Sequence, residues 1–152
     1  MEFEAMIQEI IREIIQTKSD TIDLAYNSPG GLEGWFQVEI FKKLYDRNKS
    51  NCSEITREKV YPWKGTFCDF FLKYKSGISV WMELKVDENN KVNYAQAMEA
   101  DIQKLSRINT PKTMKYAVLI SKLTYLGSEI SGFKFNPVKT GQGIYNVWVV
   151  PV

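Results

Sequence analysis

The 152-residue sequence contains no histidine. This absence excludes Ser-His triads, a histidine general base and histidine-ligated zinc or iron. If the chain is an enzyme, its catalysis must depend on carboxylates, on lysines or on a hard metal ion, because these are the remaining groups suited to proton transfer and metal binding.

Cysteine is nearly as scarce. Cys52 and Cys68 are the only cysteines of the sequence, and they match neither a disulfide framework nor a CxxC zinc motif. We expect both thiols to be inert and the compartment to be reducing, which favours a cytoplasmic location.

Long apolar segments are missing as well. The longest uncharged run, residues 140–152, is too short and too polar at its start to cross a bilayer. The first residues, MEFEAMIQEI, are acidic and predict no signal peptide. We therefore expect no membrane partner.

Charge of one sign does not dominate either. The chain has 20 Lys and Arg against 18 Asp and Glu, which gives a net charge of +2 and a pI near 8.4. That balance permits nucleic-acid binding, although a strong electrostatic footprint would be larger. With 44% hydrophobic residues, the composition is that of a globular protein. The length predicts a single domain over residues 1–152.

Apolar residues at helical or alternating spacing divide the chain into helices and strands. Helices are predicted over residues 2–18, 32–48 and 93–109, with Ser28-Pro29 as the cap before the second. Strands are predicted in a hairpin within residues 66–86, at 115–121 and at 144–152. Loops and turns are predicted at 47–54, 87–91 and 131–143. This order predicts a mixed α/β domain, in which helices flank a small mixed β-sheet with a central hairpin.

The hairpin, TFCDFFLKYKSGISVWMELKV, has one continuous apolar face. Side chains alternate across a strand, and its even-numbered positions are apolar: Phe70, Leu72, Tyr74, Ile78, Val80, Met82, Leu84 and Val86. Its odd-numbered positions are polar, charged or mixed: Asp69, Phe71, Lys73, Lys75, Ser79, Trp81, Glu83 and Lys85. We therefore expect the even-numbered face to pack against the core.

The loop of the hairpin sets which residues lie opposite each other. A two-residue loop would place Asp69 opposite Leu84 and mix the two faces. A three-residue loop with Gly77 in the left-handed conformation, or an equivalent bulge, keeps apolar residues opposite apolar residues. We predict this second register. It places Asp69 opposite Glu83, and Lys85 follows one step further along the same face.

The opposed carboxylates of Asp69 and Glu83 need an explanation, because like charges opposite each other destabilise a sheet. A cation between them would remove the repulsion. Two carboxylates, a backbone carbonyl and water molecules form a natural Mg²⁺ site. The alternative is a solvent-facing strand, on which alternating Glu and Lys are a common edge device. That alternative predicts Glu83 and Lys85 in open solvent.

The order Asp69 and then Glu83-Leu84-Lys85, with a helix before and a helix after, resembles the PD-(D/E)XK nuclease superfamily. The lead-in YP…G…CDF and the exit VWMELKV look like its small stand-alone members, and the resemblance covers roughly residues 32–120. It implies a restriction-endonuclease-like fold. It also implies a Mg²⁺- or Mn²⁺-dependent nuclease, an endonuclease rather than an exonuclease, that hydrolyses phosphodiester bonds of DNA by metal-activated water.

The resemblance also implies a role for each motif residue. Asp69 and Glu83 would hold the metal ion, helped by the backbone carbonyl of Leu84. Lys85 would orient or deprotonate the attacking water and stabilise charge on the phosphate. The residue before the aspartate is Cys68, whereas the superfamily motif has proline there.

Glu39 belongs to the segment WFQVE of the second predicted helix. It matches the glutamate that many members place beside the metal, where it would hold a water ligand or a second metal ion. The ordinary alternative is an intrahelical pair of Glu39 with Lys43. Glu33 is the other candidate acid on this helix.

Two lysines are predicted to contact the nucleic acid. Lys104 lies one turn after Asp101, where a surface ion pair is the ordinary expectation, and the resemblance makes it a candidate phosphate contact. Lys73 belongs to a set of lysines that would follow a phosphate backbone if they shared one cleft. Trp81 and Phe71 could stack on a base, but we expect them to pack under the second helix.

Two further expectations concern the partners. A chain this short has no obvious target-recognition domain, so specific or double-strand cleavage would need a homodimer. Superfamilies of this kind also contain degenerate members. The alternative function is therefore a catalytically inactive nuclease-fold module that binds nucleic acid or a partner protein.

Overall fold

A computed structural model describes residues 2–26, 31–87, 94–122, 136–140 and 143–152. These residues form four helices and six strands. In chain order they are α1 (Glu2–Thr17), α2 (Ser19–Tyr26), α3 (Gly31–Asn48), β1 (Cys52–Val60), β2 (Phe67–Tyr74), β3 (Ser79–Asp87), α4 (Tyr94–Ser106), β4 (Thr113–Lys122), β5 (Asn136–Thr140) and β6 (Gly143–Pro151).

The strands form one mixed sheet in the order β1-β2-β3-β4-β6-β5. Strands β3 and β4 are parallel, and every other neighbouring pair is antiparallel. A parallel pair needs a crossover connection, and α4 lies in that connection. The predicted mixed α/β class is therefore confirmed, and the hairpin strands β2 and β3 lie in the interior of the sheet. None of the described helices is long and apolar enough to span a bilayer.

Both faces of the sheet are covered. The even-numbered face of the hairpin packs against isoleucines of α1 and against Phe36 and Ile40 of α3. The odd-numbered face packs against Met98 and Leu105 of α4. The second cluster matters for the site, because it leaves Glu83 only 3% exposed. The alternative of a solvent-facing Glu83 is therefore wrong.

The predicted register of the hairpin is confirmed in the part next to its loop. Leu72 lies opposite Val80, and the amide of Tyr74 donates to the carbonyl of Ile78 at 2.8 Å. Gly77 has a φ of +95°. That left-handed conformation is open to glycine and strained for residues with a Cβ.

Several elements differ from the predictions. Helix α2 follows α1 as a separate helix, and two segments predicted as loops contribute strand residues, because β1 begins at Cys52 and β5 covers Asn136–Thr140. The sequences of β1 and β5, CSEITREKV and NPVKT, are polar for strands. Both lie at edges of the sheet, where charged residues and proline are tolerated. Helix α4 ends at Ser106 rather than at 109.

Four sequence predictions fall partly or wholly outside the described residues. They are the Ser28-Pro29 cap, the start of the third predicted helix at residue 93, the turn at 87–91, of which only Asp87, the last residue of β3, is described, and the loop at 131–143, of which residues 136–140 and 143 are described.

Gly77 and Gly34 offer a matched test of this account of the hairpin. We expect Gly77→Ala to destabilise the protein by about 1–2 kcal/mol, because alanine is strained at positive φ. Gly34 lies inside α3 with nothing within 4 Å of an added Cβ, so Gly34→Ala should stabilise by up to about 1 kcal/mol. Urea unfolding of both variants measures the two changes. Equal effects would contradict the proposed loop geometry.

Candidate functional site

Asp69 lies where β2 and β3 stop pairing through their backbones. Their ladder reaches Phe70 and Met82. Beyond it, the amide of Leu84 donates to Asp69 Oδ2 at 2.7 Å, so a side-chain carboxylate takes the place of a backbone acceptor. Asp69 Oδ1 accepts from Gln37 Nε2 of α3 at 3.1 Å. Both oxygens are thereby held, and the carboxylate stays fixed at the open end of the hairpin.

Glu83 is the buried partner of this pair. Its Oε1 accepts from the Tyr61 hydroxyl at 2.5 Å and lies 3.2 Å from Lys104 Nζ. Both of these contacts are to Oε1. The charge of Asp69 raises the pKa of Glu83, which indicates that the two carboxyls are neighbours. The sequence prediction that these two acids lie together is therefore consistent with their placement.

Burial makes two adjacent charges unfavourable here. It raises the pKa of Glu83 to about 7, and the charge of Asp69 contributes to the same shift. Burial also raises the pKa of Asp69, although the Leu84 amide and the Lys85 charge oppose it. Two neighbouring carboxyls in such a site must be relieved by a proton or by a cation.

The lysines complete a charge network around Glu83. Lys104 Nζ lies 3.2 Å from both Glu83 Oε1 and Asp101 Oδ1, and Lys85 Nζ lies 3.8 Å from Asp101 Oδ2. Burial alone would lower the pKa of Lys104, but the charges of Glu83 and Asp101 raise it overall. The expected Asp101–Lys104 pair therefore exists, but the Asp101 side chain is only 4% exposed. It holds both lysines near the carboxylates.

A column of aromatic rings supports the hydroxyl that binds Glu83. Tyr61 stacks on Trp63 with ring centroids 4.4 Å apart and on Trp81 at 5.4 Å, both with an interplanar angle of 9°. Phe71 tilts against Trp81. Phe71 and Trp81 are buried, as expected, but they lie in the cluster that contains residues of α4. The prediction that they pack under the second helix, now α3, is wrong, because odd-numbered hairpin residues face the opposite layer.

Glu39 does not join the site. Its carboxylate pairs with Lys18 at 2.9 Å, and Lys43, its expected intrahelical partner, pairs instead with Glu13. The reason is rotation about the helix. Glu39 follows Gln37 by two residues, roughly 200° around the axis. Glu33 precedes Gln37 by one turn, and its charge acts on Asp69.

Lys73 does not join the site either. It lies exposed on β2, opposite Ser79 and Glu54. Four residues of strand separate it from Asp69, which corresponds to roughly 13 Å. The structure therefore brings together Asp69, Glu83, Lys85 and Lys104 of the predicted residues, and it leaves Glu39 and Lys73 apart.

Three residues of the site were not assigned to it from the sequence. They are Gln37 of α3, Asp101 of α4 and Tyr61, which lies between β1 and β2. The sequence indicates Asp101 only as an ion-pair partner of Lys104. Helical spacing could have indicated Gln37, because it lies one turn from Glu33 and therefore on the same side of the helix. Nothing local in the YPWKG segment indicates that the Tyr61 hydroxyl reaches Glu83.

The donor set fits a hard divalent cation with few protein ligands. No group of three or more Asp, Glu or Cys side chains converges among the residues that the structure describes. Mg²⁺, however, usually keeps several waters and takes only one or two carboxylates from the protein. Asp69 and Glu83 could supply these two, and a positive charge between their carboxyls would offset the burial that raises both pKa values.

The raised pKa of Glu83 predicts how stability depends on pH. In the folded protein without a metal ion, Glu83 retains a proton up to about pH 7, whereas in the unfolded chain it loses that proton near its ordinary pKa. Stability should therefore be highest below the ordinary pKa and fall as the pH rises through 7, by on the order of 3 kcal/mol. Glu83→Gln should remove most of this fall. Thermal melts from pH 4 to 9 measure it, and a fall that persists in Glu83→Gln but vanishes in a Glu39→Gln control would contradict the assignment.

The Tyr61 hydroxyl offers a second test. Tyr61→Phe keeps the stacked ring but removes the donor to Glu83, so the variant should lose about 1.5–3 kcal/mol when Glu83 is ionised. The loss should be larger at pH 8.5 than at pH 5.5, because the bond is then charge-assisted. Urea unfolding at both pH values measures it. Tyr45→Phe, at an exposed tyrosine of α3, is the control and should change little at either.

Comparison with protein-family models, with curated proteins and with solved structures finds no match to this chain. The resemblance to the PD-(D/E)XK superfamily therefore stays a prediction from the motif. The arrangement of Asp69, Glu83, Lys85 and Lys104 is the basis for a functional proposal.

Proposed function

We propose that this protein is a Mg²⁺- or Mn²⁺-dependent nuclease of the PD-(D/E)XK type that hydrolyses phosphodiester bonds, with DNA as the substrate and an endonucleolytic mode. One observation carries the proposal. A carboxylate pair, the half-buried Asp69 and the buried Glu83, lies at the open end of a hairpin with two lysine ammonium groups beside it.

The carboxylates and one backbone carbonyl would hold the cation. The N–H and C=O of one strand residue point to the same side of the strand. The Leu84 amide points to Asp69, so the Leu84 carbonyl is directed toward the same open end. A bound Mg²⁺ or Mn²⁺ would supply a Lewis acid and lower the pKa of a bound water.

The lysines would have different tasks. Lys85 is 31% exposed, and Asp101 tethers it from one side. It can therefore reach a phosphate or an attacking water, where its charge would stabilise the negative charge that develops. Lys104 bonds directly to Glu83, so it orients that carboxylate and limits the repulsion within the pair. This assignment keeps Lys85 as the catalytic lysine and makes Lys104 a positioning residue.

Glu33 takes the place that the sequence suggested for Glu39. It lies on the same side of α3 as Gln37, and its charge acts on Asp69, so it is the helix acid that could hold a water ligand. The two free, buried cysteines fit a reducing cytoplasm. Cleavage of both strands of a duplex would use a homodimer, whose symmetry supplies two such sites.

The Lys104–Glu83 contact also supports a second candidate function. An ammonium group that already bonds to Glu83 could replace the cation permanently. The protein would then be an inactive nuclease-fold module that binds nucleic acid or a partner protein. Metal titration separates the two proposals, since the inactive module would bind no divalent cation at Asp69 and Glu83.

Cleavage assays test the proposed activity. Labelled single-stranded, duplex and branched DNA, and RNA, are incubated with Mg²⁺, Mn²⁺ or EDTA. We expect metal-dependent cutting that Glu83→Gln and Lys85→Ala each reduce by about 100-fold or more, because the first removes a carboxylate that would hold the metal ion and the second removes a cationic group at the reacting phosphate. Lys73→Ala and Glu39→Gln are matched controls away from the site, and they should change the rate by about twofold at most.

Two results would contradict the nuclease assignment. Cutting that persists in both Glu83→Gln and Lys85→Ala would mean that the activity belongs to another site. An equal loss in the Glu39→Gln control would mean that the variants act through general destabilisation rather than through the carboxylate pair.

A further inference from the structure

The turn that joins β1 to β2 exposes apolar side chains beside the carboxylate site. Strands β1 and β2 form a second hairpin, distinct from the β2–β3 hairpin described above. We call residues 60–67, at its turn, the hairpin tip. Val60 and Phe67 lie directly opposite each other in the register, and they are 45% and 57% exposed. Phe67 precedes Asp69 by two strand residues, roughly 6.6 Å. The apolar surface is therefore next to the place where a substrate would enter.

The hairpin tip is an ordered turn. The amide of Tyr61 donates to the carbonyl of Thr66 at 3.1 Å, and the amide of Lys64 donates to the carbonyl of Tyr61 at 2.9 Å. Trp63 Nε1 donates to Thr66 Oγ1 at 3.0 Å. Lys64 and Gly65 have φ angles of +62° and +87°. Such a framework presents Val60 and Phe67 at fixed positions.

The turn also carries positive charge. The Arg107 guanidinium stacks on Trp63 at 4.0 Å from the ring centroid, and Lys64 is exposed at the turn. One acidic residue, Glu58, lies nearby on β1 and is also exposed. The tip thus combines open apolar faces with a net cationic edge, which is the chemistry that binds unpaired nucleotides.

The tip is physically continuous with the carboxylate site. Trp63 stacks on Tyr61, and the Tyr61 hydroxyl bonds to Glu83. A strand whose phosphodiester reaches Asp69 and Glu83 would place a neighbouring nucleotide against Phe67. Bases of an intact duplex are already stacked on each other, so their faces are closed to this surface. Bases of single-stranded, flapped or branched nucleic acid are open.

We propose that the hairpin tip binds unpaired nucleotides next to the bond to be cut, with Phe67 and Val60 against the bases and Lys64 and Arg107 toward the phosphates. This proposal rests on the proposed function, because it makes the substrate a nucleic acid with an unpaired segment.

Binding measurements in the Glu83→Gln background test the proposal without cleavage. Single-stranded and duplex oligonucleotides carry a fluorescein label for anisotropy, and a single-stranded version carries 2-aminopurine, whose fluorescence falls when it stacks. We expect Phe67→Ala to weaken binding of single-stranded DNA about tenfold, the loss of one base–aromatic stack, and to abolish the 2-aminopurine quenching. Duplex binding should not change. Phe67→Trp should restore both signals.

Tyr45→Ala is the matched control, because Tyr45 is another exposed aromatic residue, 48% exposed and located on α3. It should leave binding unchanged. The proposal is overturned if Phe67→Ala and Tyr45→Ala behave alike. It is also overturned if Phe67→Ala changes only the sedimentation of the protein, because the tip would then contact a second protein chain. Metal-dependent cutting could persist in either case, so this failure is distinct from failure of the proposed function.

Discussion

The hydrogen bond from the Leu84 amide to the Asp69 carboxylate determines the arrangement of the site. It replaces the backbone bond that would otherwise join β2 and β3 at this level, and it directs the Asp69 side chain toward Glu83. The half-buried Asp69 and the buried Glu83 then lie together, where burial makes two adjacent charges unfavourable. The surrounding residues compensate for that cost. Gln37 binds Asp69, while Tyr61 and Lys104 bind Glu83.

The compensating groups come from both sides of the sheet. Helix α3 contributes Gln37, and Arg57 of β1 in turn donates to the Gln37 side-chain oxygen at 3.1 Å. Helix α4 contributes Lys104 and Asp101. The site therefore lies where the two helical layers meet the end of the hairpin. This coverage buries Glu83 and leaves Lys85 partly open to solvent.

Alternation along the hairpin was sufficient to predict the central part of this arrangement. Parity favoured the register with Asp69 opposite Glu83 over the register of a two-residue loop, which would have mixed apolar and polar faces. The sequence pattern did not determine which side of helix α3 faces the site. Glu39 fitted the motif, but only the packing of α3 shows that Gln37 and Glu33 face Asp69.

Contacts between residues that are far apart in the sequence could not be predicted from local patterns. The Tyr61–Glu83 bond joins the turn after β1 to strand β3. No local sequence pattern indicates the distance between these two residues. The same holds for Asp101, whose burial depends on where α4 docks. The edge strands β1 and β5 were missed because their exposed positions carry polar and charged residues, which weakens the strand pattern.

The central claim is that Asp69 and Glu83 bind a divalent cation, and the location of Mn²⁺ in crystals of the protein tests it most directly. Anomalous difference density from crystals soaked in Mn²⁺ would be compared between wild type and Glu83→Gln. The account predicts a peak between the two carboxylates that is lost in the variant. Well-ordered crystals in which Lys104 still bridges Glu83 and Asp101, with Mn²⁺ only elsewhere, would contradict it.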